Sequence, residues 1–282
     1  GYACKPINLT ITIPKLMKKP LIYYQIDNFY QNHRRYAKSR NDLQLSGDAV
    51  DAGSIADCDP FLHPGQYGDL PAQKTVNFEN TGDYVDMSKV AYSPCGLIAW
   101  SMFNDTFRIS RRGADGSDEV ICNGDGFTEL GEPLIGNEYC SKKGIAWPSD
   151  PGVKYSAPAG GSSDRNVLTN AGWPNTKVTD AEPLSKFAAN GWYVGEEGHK
   201  IPSATDEDLM VWMRLASLST FRKLYRRVEI DLEPGVYNVV ILQRYDVESF
   251  GGKKYFVMTT TSWTVPMCSP PSSSTRTVSP RW

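Results

Sequence analysis

Polar and apolar residues alternate along Asn8-Leu9-Thr10-Ile11-Thr12-Ile13 up to Pro14, the period-two pattern of a half-buried strand. After Pro20, the β-branched and aromatic run Leu21-Ile22-Tyr23-Tyr24-Gln25-Ile26 predicts a second strand. Near the other end, Pro234-Gly235 turns into the run Val236 to Val247, Gly251-Gly252 turns again, and Tyr255 to Trp263 is an apolar strand, so the pattern predicts a hairpin. The helical period is clearest between Asp206 and Leu218, where Leu209, Trp212, Met213 and Ala216 fall on one stripe. Thr205 and Asp208 have capping-box-like spacing, and Asp206, Glu207 and Asp208 sit at the positive end of the helix dipole. The stripe is assigned to the core.

Three stretches rich in Gly, Asp and Pro, from Gly47 to Gly68, from Gly113 to Gly136 and from Ser149 to about Pro183, read as surface excursions. Loops of this length are uncommon in compact domains unless they bind something or are stapled, and Cys58, Cys122 and Cys140 lie in or beside them. The expected fold is therefore mainly β: an antiparallel β-sandwich with long disulfide-stapled loops and one or two short helices, whose terminal strands can pair.

Composition narrows the function. Of 282 residues, 40% are apolar and 22% charged, as in a folded globular chain. The net charge of -2, from 30 basic and 32 acidic residues, lacks the positive field of a nucleic-acid binder. No run approaches the roughly 18 apolar residues of a membrane helix. Gly1-Tyr2-Ala3-Cys4 has no signal-peptide features, which places any targeting segment upstream or already removed. Six cysteines without C-x-x-C spacing and three dispersed histidines argue for disulfides over a metal site. Sequons at Asn8-Leu9-Thr10 and Asn104-Asp105-Thr106 point, with the even cysteine count, to a lumenal or extracellular compartment. The loop from Asn123 to Glu132 has Gly126 and Glu132 at calcium-loop offsets, but Ile121 occupies the first ligand position. No Gly-x-Ser-x-Gly elbow, phosphate-binding loop or His-Glu-x-x-His is present, so neither catalysis nor a cofactor is expected.

Four longer blocks carry a resemblance. Tyr23-Tyr24-Gln25-Ile26-Asp27-Asn28-Phe29-Tyr30-Gln31-Asn32-His33-Arg34-Arg35-Tyr36, continuing through Lys38-Ser39-Arg40, resembles the hallmark of the cell-division-control-protein-50 family. Ser93-Pro94-Cys95-Gly96-Leu97-Ile98-Ala99-Trp100 through Thr106 is similar to its second signature, Lys143-Gly144-Ile145-Ala146-Trp147 to its third, and Asp206 to Tyr225 to its fourth. Thr260-Thr261-Ser262-Trp263 is similar to its closing segment.

The resemblance implies an exoplasmic domain, here residues 1–263, of the accessory β-subunit of a phospholipid flippase. Such subunits bind a type IV P-type ATPase, support its folding and exit from the endoplasmic reticulum, and leave catalysis to it. The family's placement is on the exoplasmic or lumenal side of the endoplasmic reticulum, Golgi, endosomal or plasma membrane. It also implies a Cys58–Cys95 bond. Cys122 and Cys140 bracket the second excursion and suit another bond, although six cysteines allow 15 connectivities. Cys4 and Cys268 stay unassigned, and the Ser/Pro-rich tail, 264–282, is expected to be disordered. Asn104, inside a family block, is the stronger glycosylation candidate and Asn8 the weaker.

Partner-contact candidates are Phe29, Tyr30, His33, Arg34, Arg35 and Arg222. The first basic cluster, with Lys38 and Arg40, suits an acidic partner surface or phospholipid headgroups. It equally suits a structural role, guanidinium groups stacking on rings and clamping carbonyls, and that account is placed slightly ahead. For Arg214, Arg222, Lys223, Arg226 and Arg227 a solvated or salt-bridged face ranks first. Alternative functions are a secreted lectin-like binding glycoprotein and, third, an unrecognised hydrolase.

Overall fold

The computed structural model describes residues 6–48, 50, 55–59, 61–62, 75–78, 83–86, 91–113, 116–128, 130–157, 167–168 and 202–260. Cys4, Trp263, Cys268 and the tail 264–282 lie outside the described residues, as do parts of the first and third excursions. The strands are, in chain order, β1 Ile7–Ile13, β2 Leu21–Asp27, β3 Thr75–Phe78, β4 Asp83–Asp86, β5 Ala91–Tyr92, β6 Thr106–Arg112, β7 Asp118–Asn123, β8 Cys140–Ser141, β9 Val167–Leu168, β10 Phe221–Val228, β11 Gly235–Leu242 and β12 Lys253–Thr259. Among the described residues four short α-helices accompany them: α1 Arg34–Lys38, α2 Asp42–Leu45, α3 Leu97–Trp100 and α4 Glu207–Met213. None is long and apolar enough to cross a membrane.

The chain divides into two compact units. A sheet unit takes Cys4–Tyr30, Asp105–Ala146 and Leu218–Trp282; a loop-rich unit takes Gln31–Asn104 and Trp147–Ser217, with residues 1–3.

The sheet unit is the antiparallel sandwich that the alternation predicts. Its first sheet has the order β1-β11-β6-β7 and its second β12-β2-β10-β8. In β1 the residues Ile11 and Ile13 point inward while Asn8, Thr10 and Thr12 face water. Register then stacks like on like: Ile7 faces Ile241, Leu9 faces Val239, and Ile241 faces Phe107. In the second sheet Ile22, Tyr24 and Ile26 supply the inner face, beside Phe256 and Met258. Phe107 joins the layers, 4.7 Å from the Tyr225 ring and 5.4 Å from Phe256, both edge to face.

The expected hairpin is not formed. β11 belongs to the first sheet and β12 to the second, so they have no ladder in common. β11 instead pairs with β1 and β6, and β12 with β2. The chain between them is drawn inward by charge. Asp105 accepts from the backbone N–H groups of Arg244 and Tyr245, each at 2.7 Å, and Lys254 Nζ lies 2.5 Å from its carboxylate. Lys254 also donates to the Tyr245 carbonyl at 2.8 Å. Both side chains of this ion pair are nearly inaccessible, 0% and 3% exposed, so its desolvation is offset by their mutual attraction and by the backbone groups that Asp105 Oδ1 and Lys254 bond.

The second excursion is partly ordered as β7, an edge strand that Val120 and Ile121 drive against β6. Cys122 on β7 is bonded to Cys140 on β8, which ties an edge of one sheet to an edge of the other.

Removing either member of the buried pair strands a charge and costs about 3–5 kcal/mol. In urea unfolding, Lys254→Met and Asp105→Asn should each lose that much, and the double variant clearly less than their sum. Cys122→Ser with Cys140→Ser removes closure of a loop of 18 residues and should cost about 3 kcal/mol in the same assay.

Candidate functional site

The hallmark block enters the loop-rich unit at Gln31, which is fully buried and outside any strand or helix. Its amide clasps the end of α4 and the chain that leaves it, donating to the Trp212 carbonyl at 3.4 Å and accepting from Ala216 N–H at 3.0 Å. Asn32 donates to the Ser217 carbonyl at 2.9 Å. The chain then forms α1, with extended His33 as N-cap and the His33 carbonyl accepting from Ala37 N–H. This single turn has no buried residue, and His33, Arg34, Arg35 and Lys38 are all exposed.

Tyr36 points away from that basic surface. Its hydroxyl shares a 2.8 Å hydrogen bond with Ser101 Oγ. Burial pushes the phenol up to about 12, against the smaller opposing effect of hydrogen bonds from Ser101, Gln31 and Trp212.

The two signature blocks interlock around the Cys58–Cys95 disulfide. Ser39 Oγ accepts from Leu97 N–H at 2.8 Å and donates to the Asp59 carbonyl at 3.1 Å. Gln44 donates to the Tyr92 carbonyl at 2.6 Å and accepts from Cys95 N–H at 2.8 Å. Asn41 caps α2 by accepting from Gln44 N–H. Gly96 has a φ of 97°, and a Cβ there would collide with the Ser39 carbonyl, so the signature glycine is required twice over.

The fourth block supplies α4. Its cap is Asp206, which accepts from Asp208 N–H at 2.8 Å, one residue beyond the expected Thr205. Trp212 is fully buried and donates its indole N–H to the Ile98 carbonyl at 2.8 Å, which confirms the core assignment of the stripe. The helix stops at Met213, short of Leu218, because Arg214 is extended and its guanidinium is taken bidentately by Asp150 at 2.6 and 2.8 Å. That hydrogen bond raises the Arg214 pKa against partial desolvation. The exposed Trp147 ring stacks over the same guanidinium at 5.0 Å. Asp150, only 1% exposed, carries no motif that would have marked it.

In the sheet unit, Phe29 packs against Phe221 and Phe250, with ring centroids 6.2 and 5.2 Å away. Tyr30 is exposed, and exposed Arg222 donates to Gln25 at 2.7 Å. The second basic cluster is a solvated or salt-bridged face only in part: Arg222 is exposed and Arg214 and Arg227 pair with Asp150 and Glu229, whereas Lys223 and Arg226 are buried. A register shift between Leu224 and Arg226 turns two neighbouring side chains inward, so Tyr225 and Arg226 are both buried. Arg226 stacks on Tyr225 and Phe127 and donates to the Gly124 carbonyl at 3.0 Å. Lys223 is buried as well, 5.5 Å from the Phe221 ring.

Asn8 is exposed on the outer face of edge strand β1, with Thr10 on the same face. Asn104 is half-buried, and its Oδ1 has no hydrogen-bond partner among the described residues.

The sequence model of the LEM3 (ligand-effect modulator 3) family / CDC50 family matches residues 2–266. The chain belongs to this family. "ALA-interacting subunit 3" of Arabidopsis thaliana is 35% identical over 93% of the chain and 56% of its own length. "Cell cycle control protein 50A" of Bos taurus is 34% identical over 86% of the chain and 55% of its own length. "Phospholipid-transporting ATPase accessory subunit CDC50" of Chaetomium thermophilum is 32% identical over 85% and 48%. The chain thus spans about half the length of the curated CDC50 relatives it matches. Membership disfavours the lectin-like alternative.

For a CDC50-family chain the hallmark tyrosine gives a pH signature. A phenol whose folded pKa is raised stabilises fully below its unfolded value near 10, and that stability disappears as pH rises toward 12. Thermal melts should therefore fall between pH 10 and 12. Tyr36→Phe should lose about 0.5–1.5 kcal/mol at pH 7 through its hydrogen bond to Ser101 and show a shallower alkaline decline than the parent.

Proposed function

We propose that the chain is a noncatalytic exoplasmic domain of the accessory β-subunit of a phospholipid flippase. It binds a type IV P-type ATPase and supports that subunit's folding, its exit from the endoplasmic reticulum and phospholipid translocation. The observation that carries this reading is family membership along nearly the whole chain, joined to a relative whose name is that of a phospholipid-transporting ATPase accessory subunit.

Physical features support a binding role. The hallmark residues Gln31 and Ser39, with Gln44 shortly after them, spend their polar groups on backbone, which builds a rigid platform. The same block leaves His33, Arg34 and Arg35 on the surface, where guanidinium groups suit acidic loops of a partner or phospholipid headgroups. Tyr30 and Arg222 add exposed contact candidates in the sheet unit, while Phe29 positions the segment from within. Both disulfides suit an oxidising compartment on the exoplasmic or lumenal side of the endoplasmic reticulum, Golgi, endosomal or plasma membrane. N-glycans are proposed on Asn104 and Asn8, the second from the outward face of an edge strand.

Two measurements test this. The full-length protein, co-expressed with the type IV P-type ATPases of its own genome, should co-purify with at least one of them in mild detergent; recovery of none overturns the reading. Glycosidase digestion should shift the secretory-pathway product in two steps, with Asn104→Gln and Asn8→Gln each removing one. A product unmoved by digestion refutes both sites.

A further inference from the structure

Among the described residues each four-stranded sheet of the sandwich ends in two edge strands, β1 and β7 in the first and β12 and β8 in the second. An edge offers unpaired N–H and C=O groups to any strand that meets it, so folded chains blunt edges with charge, proline, a bulge or brevity. Three of these edges are blunted. β7 begins with exposed Asp118 and Glu119, shifts register against β6 and is bonded through Cys122 to Cys140. β8 is two residues long, and β12 begins with exposed Lys253.

β1 has no such device. Between Pro6 and Pro14 the strand Ile7-Asn8-Leu9-Thr10-Ile11-Thr12-Ile13 holds no charge, proline or glycine, and its register with β11 runs unbroken from Ile7 facing Ile241 to Ile13 facing Gly235. β11 is its only ladder partner among the described residues, which leaves the N–H and C=O groups of alternate residues turned away from the ladder. Ile7 and Leu9, on the core side, are only half-buried, so the rim beside this edge is apolar as well as open. The segment is also self-complementary. Laid antiparallel on a second copy and centred on Thr10, it sets Ile7 against Ile13, Leu9 against Ile11, Asn8 against Thr12 and Thr10 against itself. Seven uncharged residues of high β-propensity at an open edge make a self-pairing strand.

The same strand carries the sequon of Asn8, whose side chain is exposed on the outer face together with Thr10. A bulky, hydrated glycan at that position crowds the approach of another strand. We propose that the N-glycan of Asn8 guards the β1 edge, and that the strand it keeps out is β1 of a second copy of this chain. This inference rests on the reading of Asn8 as a glycosylation site.

The test uses the full-length protein made in the secretory pathway and purified in mild detergent, with peptide mapping to read the glycan on Asn8. By light scattering, Asn8→Gln should self-associate at a concentration roughly tenfold below that of the parent, while its melting temperature in dilute solution stays that of the parent. Thr10→Val, which removes the sequon and leaves Asn8 in place, should do the same, whereas Thr10→Ser keeps the sequon and should behave as the parent does. Asn8→Gln/Thr12→Lys should return to parent behaviour, because an edge lysine blocks strand addition without a glycan. A photoreactive residue in place of Thr10, which also removes the sequon, should crosslink to β1 of another copy. If Asn8 is glycosylated in the parent and both sequon variants stay as monodisperse as the parent, the guard is refuted and the glycosylation reading stands. If the parent bears no glycan on Asn8, both fall. Association that the lysine does not reverse, or crosslinks that map outside β1, also overturn the proposal.

Discussion

Backbone amides buried outside regular ladders must still be hydrogen-bonded, and the loop-rich unit is organised by that requirement. It has few strands and only one-turn or two-turn helices among its described residues. Side chains therefore stand in for ladders: Gln31 joins two passages of chain, Ser39 three, and Gln44 two more. Such amide and hydroxyl groups are two-sided, one atom accepting while another donates, which is why glutamine and serine occupy positions where an aliphatic residue would leave carbonyls stranded. The disulfide and the stacked pair Phe61 and Trp100, 3.9 Å apart, then fill the space between these clamps.

The sheet unit meets the same requirement by ladders, and its exceptional feature is charge. Asp105 follows directly after the sequon asparagine, and it organises the turn that carries the chain from one sheet to the other. A charge at that depth is tolerable because one oxygen takes two backbone N–H groups and the other faces the Lys254 ammonium, and it specifies which backbone segment can lie there. The bulge at Leu224 has a related effect, placing an aromatic ring and a guanidinium side by side under the loop from β7. Gly124 gives the Tyr225 hydroxyl the room it needs, since a Cβ would occupy its place.

What could be read from the chain alone follows from the length of each pattern. β1, β2 and the start of α4 were legible because alternation or a cap runs over enough residues to stand out. α1, α2 and α3 were not, because four or five residues cannot display a 3.6 period and are held by capping and tertiary bonds. β7 was hidden between Gly- and Asp-rich flanks. The pairing of β11 and β12 was misread for a different reason: alternation reports that a strand has one buried face, and is silent about which neighbour lies beside it. Among the site residues, Arg34 and Arg35 could be named from sequence, whereas Asp150 acquires meaning only when Arg214 folds onto it.

The pairing of β1 with β11 and of β2 with β12 also governs biogenesis. A ribosome has to deliver about 200 further residues after β2 before β10, β11 and β12 exist, which at typical synthesis speeds takes on the order of tens of seconds. Throughout that interval the two earliest strands have no ladder partner from their own sheets and present open edges. Assembly of this sandwich is thus a late event in translation, and the nascent chain is a natural client for holding chaperones until its last strand emerges.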